Sequence, residues 1–173
     1  DAEKMSKSLG NFFTIRDVLK LYHPQAVRWF LLSTHYRAPI NYTEKTLEDA
    51  SDRVYYLYQT LTDLQATLAV TEDANDGPIF EPECVNNLEE RMRQAMEDDF
   101  NTALTIGVIS EPLKLINDLH HTKAGRKRPG RLATLQAISE GLMTTLGILG
   151  VGTGDPGQVL SEMRARALAR RKM

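Results

Sequence analysis

Between Leu47 and Leu68 the apolar residues fall into a single helical stripe. Leu47, Ala50, Val54, Leu57, Tyr58, Leu61, Leu64 and Leu68 recur three or four positions apart, the spacing that puts side chains on one face of an α-helix. A helix of this length with one apolar face needs other helices or a sheet to cover it. The rest of the sequence supplies helices. Thr14 is placed to cap a short one carrying Ile15, Val18, Leu19 and Tyr22. Pro24 suits the first turn of a second, with Val27, Phe30 and Leu31 expected on its buried face. Thr43 opens the long helix. Leu88, Met92, Ala95 and Met96 mark a fourth, and Ile106, Ile109, Leu113, Ile116 and Leu119 a fifth. Pro112 interrupts that fifth pattern, so a kink or break is expected there. Leu132 to Leu149 and Val159 to Lys172 complete the set. No segment alternates with period two for long enough to make a strand, so the expected fold class is all-α.

Turn-forming residues divide the chain. Thr71 to Glu83 holds Asn75, Asp76, Gly77, Pro78 and Pro82 and reads as an acidic linker. The expected organisation is a helical region over 1–70, the linker over 71–83, and a helical bundle over 84–173. Lys123 to Arg131 reads as a basic loop. The first residue is Asp1, and the chain reads as a piece of something longer.

Composition removes several alternatives. With 42% hydrophobic residues the chain is too apolar for disorder. A single cysteine, Cys84, can form no internal disulfide and no multi-thiolate metal site. His120 and His121 are adjacent, splay apart on a helix and read as a solvated helix end, so no metal site is expected. No uninterrupted apolar run approaches the roughly 20 residues that span a bilayer. The formal net charge of -2 hides a strong partition. Residues 1–40 carry six Lys/Arg against three Asp/Glu, residues 41–100 four against fifteen, and residues 101–173 eleven against five. A basic head and a basic tail flank an acidic middle, and segregated charge of this kind creates local potentials.

The chemistry-bearing string is Lys4-Met5-Ser6-Lys7-Ser8, followed by Leu9-Gly10-Asn11. Two lysines three apart in a Ser/Gly-rich stretch place two ammonium groups and several hydroxyl donors together. Such a set can stabilise charge building on a leaving polyphosphate. A bare Lys-x-x-Lys says little, but the complete string is the KMSKS signature, and it resembles class I aminoacyl-tRNA synthetases. The segments Asn11-Phe12-Phe13-Thr14-Ile15-Arg16-Asp17-Val18-Leu19, Val27 to Ser33 and His35 to Tyr42 look like cysteinyl-tRNA synthetase. Met96-Glu97-Asp98-Asp99-Phe100-Asn101-Thr102 resembles the start of that family's helical DALR domain, and Arg164 to Arg170 a later helix of it.

The resemblance implies a KMSKS loop and a small helical stem-contact fold, followed by an antiparallel, DALR-like anticodon-binding bundle that stops early at Met173. It implies ATP with Mg2+ as a substrate, with Lys7 and Lys4 as the catalytic cations and Ser6 and Ser8 beside them in the ATP site. Arg16, Arg28, Arg37, Arg164 and Arg166 are the implied contacts to the tRNA for cysteine. The catalytic Rossmann fold and the family's zinc are expected to lie upstream, so a missing N-terminal catalytic domain is an implied partner. No membrane association and a cytoplasmic location are expected. Asp98 and Asp99 read as helix-capping partners, and Lys123, Arg126, Lys127, Arg128 and Arg131 as either an RNA-backbone contact or a solvated loop. Two further readings stay open: a ligase joining cysteine to an amino sugar by the same adenylate chemistry, and a stand-alone helical module binding RNA or protein.

Overall fold

The computed structural model describes residues 14–70, 76–80 and 86–171. Eight helices lie among the described residues: α1 (Ile15–Leu21), α2 (Pro24–Leu32), α3 (Glu44–Ala69), α4 (Leu88–Glu97), α5 (Thr102–His121), α6 (Lys123–Arg126), α7 (Arg131–Leu149) and α8 (Pro156–Arg170). No strand occurs among them, so the fold is all-α.

Local chemistry sets the helix starts. The Thr14 hydroxyl accepts from the Asp17 N–H at 3.1 Å. Thr43 and Thr46 form a reciprocal capping box at the start of α3. Asn101 and Asp155 cap α5 and α8 with their side-chain oxygens. His23 caps α2 through Nδ1, with Pro24 in the first turn.

Helix α3 is the hub. It packs against α2, α5, α7 and α8, while α4 lies across α5 and α7, and α8 reaches back to α1. Leu47, Val54, Leu57, Tyr58, Leu61 and Leu64 are buried in one continuous cluster with Trp29, Ile109, Ile116, Leu135, Leu142 and Met163. One core therefore joins the first helices to the last. Each buried leucine contributes on the order of 2 kcal/mol by removal from water.

Several sequence expectations change. On α2 the buried residues are Ala26, Trp29 and Phe30, while Leu31 is 55% exposed. The two triplets have the same spacing, so only packing against α3 selects between them. Pro112 does not break α5, which runs unbroken from Thr102 to His121 with Pro112 buried inside it. Lys123–Arg131 contains the short helix α6. Of the two histidines, only His121 is exposed; His120 is 9% exposed because the end of α5 is covered by α3 and α7. Helix α7 is long and apolar enough, by length and composition, to cross a membrane. Interspersed Thr, Ser and Gly hide this from a search for uninterrupted runs. Its Leu135, Ile138, Leu142, Leu146 and Leu149 lie in the core.

Asp76 to Phe80, in the middle of the expected linker, is docked. The Asp76 carboxylate accepts from the N–H groups of Leu132 and Ala133, capping α7. Gly130 sits at φ +73°, and a Cβ there would lie 1.9 Å from the Pro78 carbonyl oxygen. The close approach requires glycine. Phe80 receives the Arg128 guanidinium over its ring at 3.7 Å.

Candidate nucleic-acid interface

The site residues expected from sequence fall into two groups. Lys4, Ser6, Lys7 and Ser8 lie outside the described residues, as do Phe12, Phe13 and Cys84. The five arginines are all described, and four of them have partners within the chain.

Arg28 projects from α2 to the far end of α7. Its Nη1 donates to the Leu149 carbonyl oxygen at 3.3 Å, beside the left-handed Gly150. Gln25, one turn earlier, donates to the Thr153 hydroxyl at 3.1 Å, and Tyr58 donates to the Thr153 carbonyl at 2.7 Å. Burial pushes the Tyr58 phenol up to about 12. Arg28 thus ties down the Leu149 carbonyl at a helix C-terminus, where a cation is also favoured by the helix dipole.

On α8, Arg164 places Nε and Nη2 at 2.9 and 2.7 Å from the Tyr55 hydroxyl. Arg166 pairs with Glu162 at 3.2 Å. Glu162 also faces the Nε2 of buried His23 at 3.5 Å. His23 accepts an N–H at Nδ1 and presents Nε2 to Glu162, which is the pattern of a neutral imidazole. Burial, and then Arg166, hold its pKa below the ordinary histidine value. Arg170, which the motif reading did not single out, donates to the Leu21 carbonyl at 2.7 Å and covers the Tyr22 ring at 4.2 Å. The basic face of the last helix is therefore engaged mainly in holding α8 on α1, α2 and α3.

Arg37 has a different setting. It follows α2 in a tight turn, where the Arg37 N–H donates to His35 Nδ1 at 3.3 Å. Its Nε donates to the Tyr36 hydroxyl at 2.9 Å and lies 2.6 Å from Asp99 Oδ2, and its Nη2 donates to Asp99 Oδ1 at 3.2 Å. The Tyr36 hydroxyl donates to the same Asp99 Oδ1 at 2.8 Å, and Arg37 lies 5.2 Å from the Tyr36 ring centroid. His35 stacks on Tyr36 at 5.0 Å and has its Nε2 3.8 Å from Asp99. The Thr102 hydroxyl donates to the Leu32 carbonyl at 2.9 Å, fixing the start of α5 against the end of α2. Hydrogen bonds from Arg37 and then Tyr36 hold the Asp99 carboxyl below the usual carboxylate range. Arg37 nevertheless keeps 68% of its side chain exposed.

Asp98 and Asp99 therefore divide their roles. Asp98 ends α4 as its C-cap residue and Asn101, not either aspartate, caps the start of α5, so the expected role at a helix start is not theirs; Asp99 is the anchor for the turn after α2. That pairing joins residues 62 apart in sequence, and no local signal reveals it. Arg16 is exposed on α1. In the basic loop Lys123, Arg126 and Lys127 are exposed, while Arg131 donates to the Leu119 carbonyl. A cleft of about 1020 Å³ between α2, α3 and α5 has Trp29, Phe30 and Tyr56 in its wall. Asp49 and Asp52 line it together with Arg53 and Lys114, a mixed charge that does not cradle phosphate. Among the described residues no group of three or more His, Cys, Asp or Glu side chains is placed to hold a metal ion.

Comparison with known proteins gives this geometry a context. The family profile for the tRNA synthetases class I (C) catalytic domain matches residues 1–52, and that of the DALR domain matches residues 91–151. The first of these profiles is that of a class I aminoacyl-tRNA synthetase. A cysteine–tRNA ligase CPS1 homolog, chloroplastic/mitochondrial, of Oryza sativa subsp. japonica is 45% identical over 175 residues, covering 100% of this chain and 31% of that protein. The chloroplastic/mitochondrial cysteine–tRNA ligase of Arabidopsis thaliana is 44% identical over 173 residues, covering 98% and 31%. That of Anaeromyxobacter sp. (strain K) is 42% identical over 171 residues, covering 99% and 34%. The chain belongs to the cysteine–tRNA ligase family, and it spans about a third of the length of these curated relatives.

Proposed function

We propose that the chain is a working part of a cysteine–tRNA ligase. That enzyme joins L-cysteine to its tRNA through a cysteinyl-adenylate, with release of pyrophosphate. The observation that carries the reading is the intact Lys4-Met5-Ser6-Lys7-Ser8 string in a chain alignable from end to end with enzymes of that name. In this reading the cysteine carboxylate attacks the α-phosphorus of ATP, bound with Mg2+, and pyrophosphate leaves. Lys7 and then Lys4 attract the departing charge more strongly than the ground-state triphosphate, so their effect appears in rate rather than in binding. Ser6 and Ser8 donate to the same phosphates.

Residues 1–70 supply this loop and a stem-contact surface, and residues 84–173 a tRNA-contacting bundle. Arg16 and Arg37 keep exposed positions for phosphate, whereas Arg28, Arg164 and Arg166 combine any such contact with bonds inside the protein. The two plant relatives are by name chloroplastic/mitochondrial, so the cytoplasmic expectation widens to any compartment that makes protein.

The test is Lys7→Ala in the full-length protein. Cysteine-dependent ATP–pyrophosphate exchange should fall by about a hundredfold or more, the scale of removing one transition-state donor, with cysteine binding little changed. An unaltered exchange rate would remove Lys7 from the mechanism. The 173-residue chain alone is expected to show no exchange, and activity there would overturn the assignment of the remaining machinery to another segment.

A further inference from the structure

The turn between α4 and α5 is built in an unusual way. Asp99 and Phe100 both have left-handed backbones, at φ 55° and 54°. The helix end is closed by the Phe100 N–H on the Met96 carbonyl and the Asn101 N–H on the Ala95 carbonyl. Glycine is the usual residue where a helix closes in this way. Aspartate tolerates the conformation better than most residues, but phenylalanine does not. Each such position costs on the order of 1 kcal/mol, and strain of this kind persists where the surroundings enforce it, often at functional sites. Here the strained turn delivers the Asp99 carboxylate to Arg37 and Tyr36, and it leaves Phe100 66% exposed.

We propose that Asp99 is a positioning residue for Arg37, and that the pair forms one composite contact for an RNA phosphate. The contact is shared between the segment matching the catalytic-domain profile and the segment matching the DALR profile. This rests on the reading that the protein binds tRNA. A free arginine on a surface turn loses side-chain entropy when it binds. Asp99 removes most of that cost in advance. It accepts from Nη2 and lies against Nε, while the Tyr36 hydroxyl accepts from Nε, and together they fix the guanidinium plane with most of the side chain in solvent. Tyr36 fixes the carboxylate in turn and lies against the guanidinium. The arrangement exists only when both segments are packed, so it reports their relative placement to the RNA.

Simple electrostatics predicts the opposite of positioning. Removing a negative charge next to a phosphate site should tighten binding. The experiment is tRNA binding by the full-length protein, using an in vitro transcript of the tRNA for cysteine, for wild type, Arg37→Ala, Asp99→Ala, Asp99→Asn and the Arg37→Ala/Asp99→Ala pair. Arg37→Ala should weaken binding by about tenfold and lower the salt slope by about one ion. Asp99→Ala should weaken it about threefold to tenfold, with Asp99→Asn closer to wild type because it keeps an acceptor. In the Arg37→Ala background Asp99→Ala should add nothing. Unchanged or tighter binding by Asp99→Ala, or an equal Asp99 effect without Arg37, overturns the proposal. Failure of wild type to bind overturns the tRNA reading itself, and the proposal with it.

Discussion

The two ends of α2 are fastened by different chemistry. In its N-terminal half Gln25 and Arg28 bond to the α7–α8 loop and to the end of α7, through Thr153 and the Leu149 carbonyl. Their partners are chiefly backbone and hydroxyl groups, and the loop turns at Gly150, Gly152 and Gly154, all with positive φ. Beyond the C-terminal end, Tyr36 and Arg37 bond to a carboxylate on a turn that contains no glycine. The first fastening joins a helix end to the core around Tyr58. The second holds a charged group that stays in solvent. A cation closing a helix C-terminus is a packing device, whereas a cation clamped by an acid and left exposed is available to a ligand. Removing each fastening should therefore change a different property.

The largest expected effect is at the N-terminal end. Tyr58 is fully buried, and its hydroxyl is bonded to the Thr153 carbonyl. Tyr58→Ala should cost about 3–5 kcal/mol of stability, read by denaturant unfolding. Tyr58→Phe should cost only about 1 kcal/mol. Equal losses would mean that the hydroxyl, and not the ring, holds the loop.

Next comes Gly150→Ala. At φ +65° an added Cβ would also meet Arg28 Nη1 at 3.0 Å. A loss of about 1–2 kcal/mol is expected. The same substitution at Gly147, where nothing lies within 4 Å of an added Cβ, should be neutral or slightly stabilising.

The smallest effect is a pH dependence. Burial holds the pKa values of His23 and His120 below the ordinary histidine value. The unfolded chain then binds these protons first, so stability should fall as pH drops below about 6.5. His23→Asn should flatten that slope in thermal melts across pH 7 to about 5. Asp99 acts lower. Its carboxyl is held below its usual value, so the stability it adds is complete above about pH 4 and is lost as pH falls through its folded value. An unchanged slope in His23→Asn would show that the burial of His23 does not set this acid-side loss of stability.

The sequence carries the local part of this structure well. The stripe from Leu47 to Leu64 is the core face of α3, and Thr14, Thr43 and Asn101 are the caps their residue types suggest. Local periodicity cannot choose between equivalent faces, which is why Leu31 is exposed and Ala26 buried. Nor does it carry long-range pairing. Arg28 with Leu149 and Arg170 with Leu21 join residues 121 and 149 apart. As sequence the arginines are equivalent positive charges; only packing separates those that close helices from those left in solvent. The candidate phosphate loop at Lys4 and Lys7 was legible only by resemblance, because no periodicity or cap distinguishes it from a solvated Lys/Ser loop.

The contrast between the two ends of α2 is tested most directly by measuring, for Arg28→Ala and Arg37→Ala side by side, the melting temperature and the affinity for the cysteine tRNA transcript. Arg28→Ala should lower stability by about 1 kcal/mol and leave affinity within about twofold. Arg37→Ala should leave the melt nearly unchanged and weaken affinity by about tenfold. The reverse pattern, or two variants that lose both properties equally, would contradict the division of labour between packing and recognition.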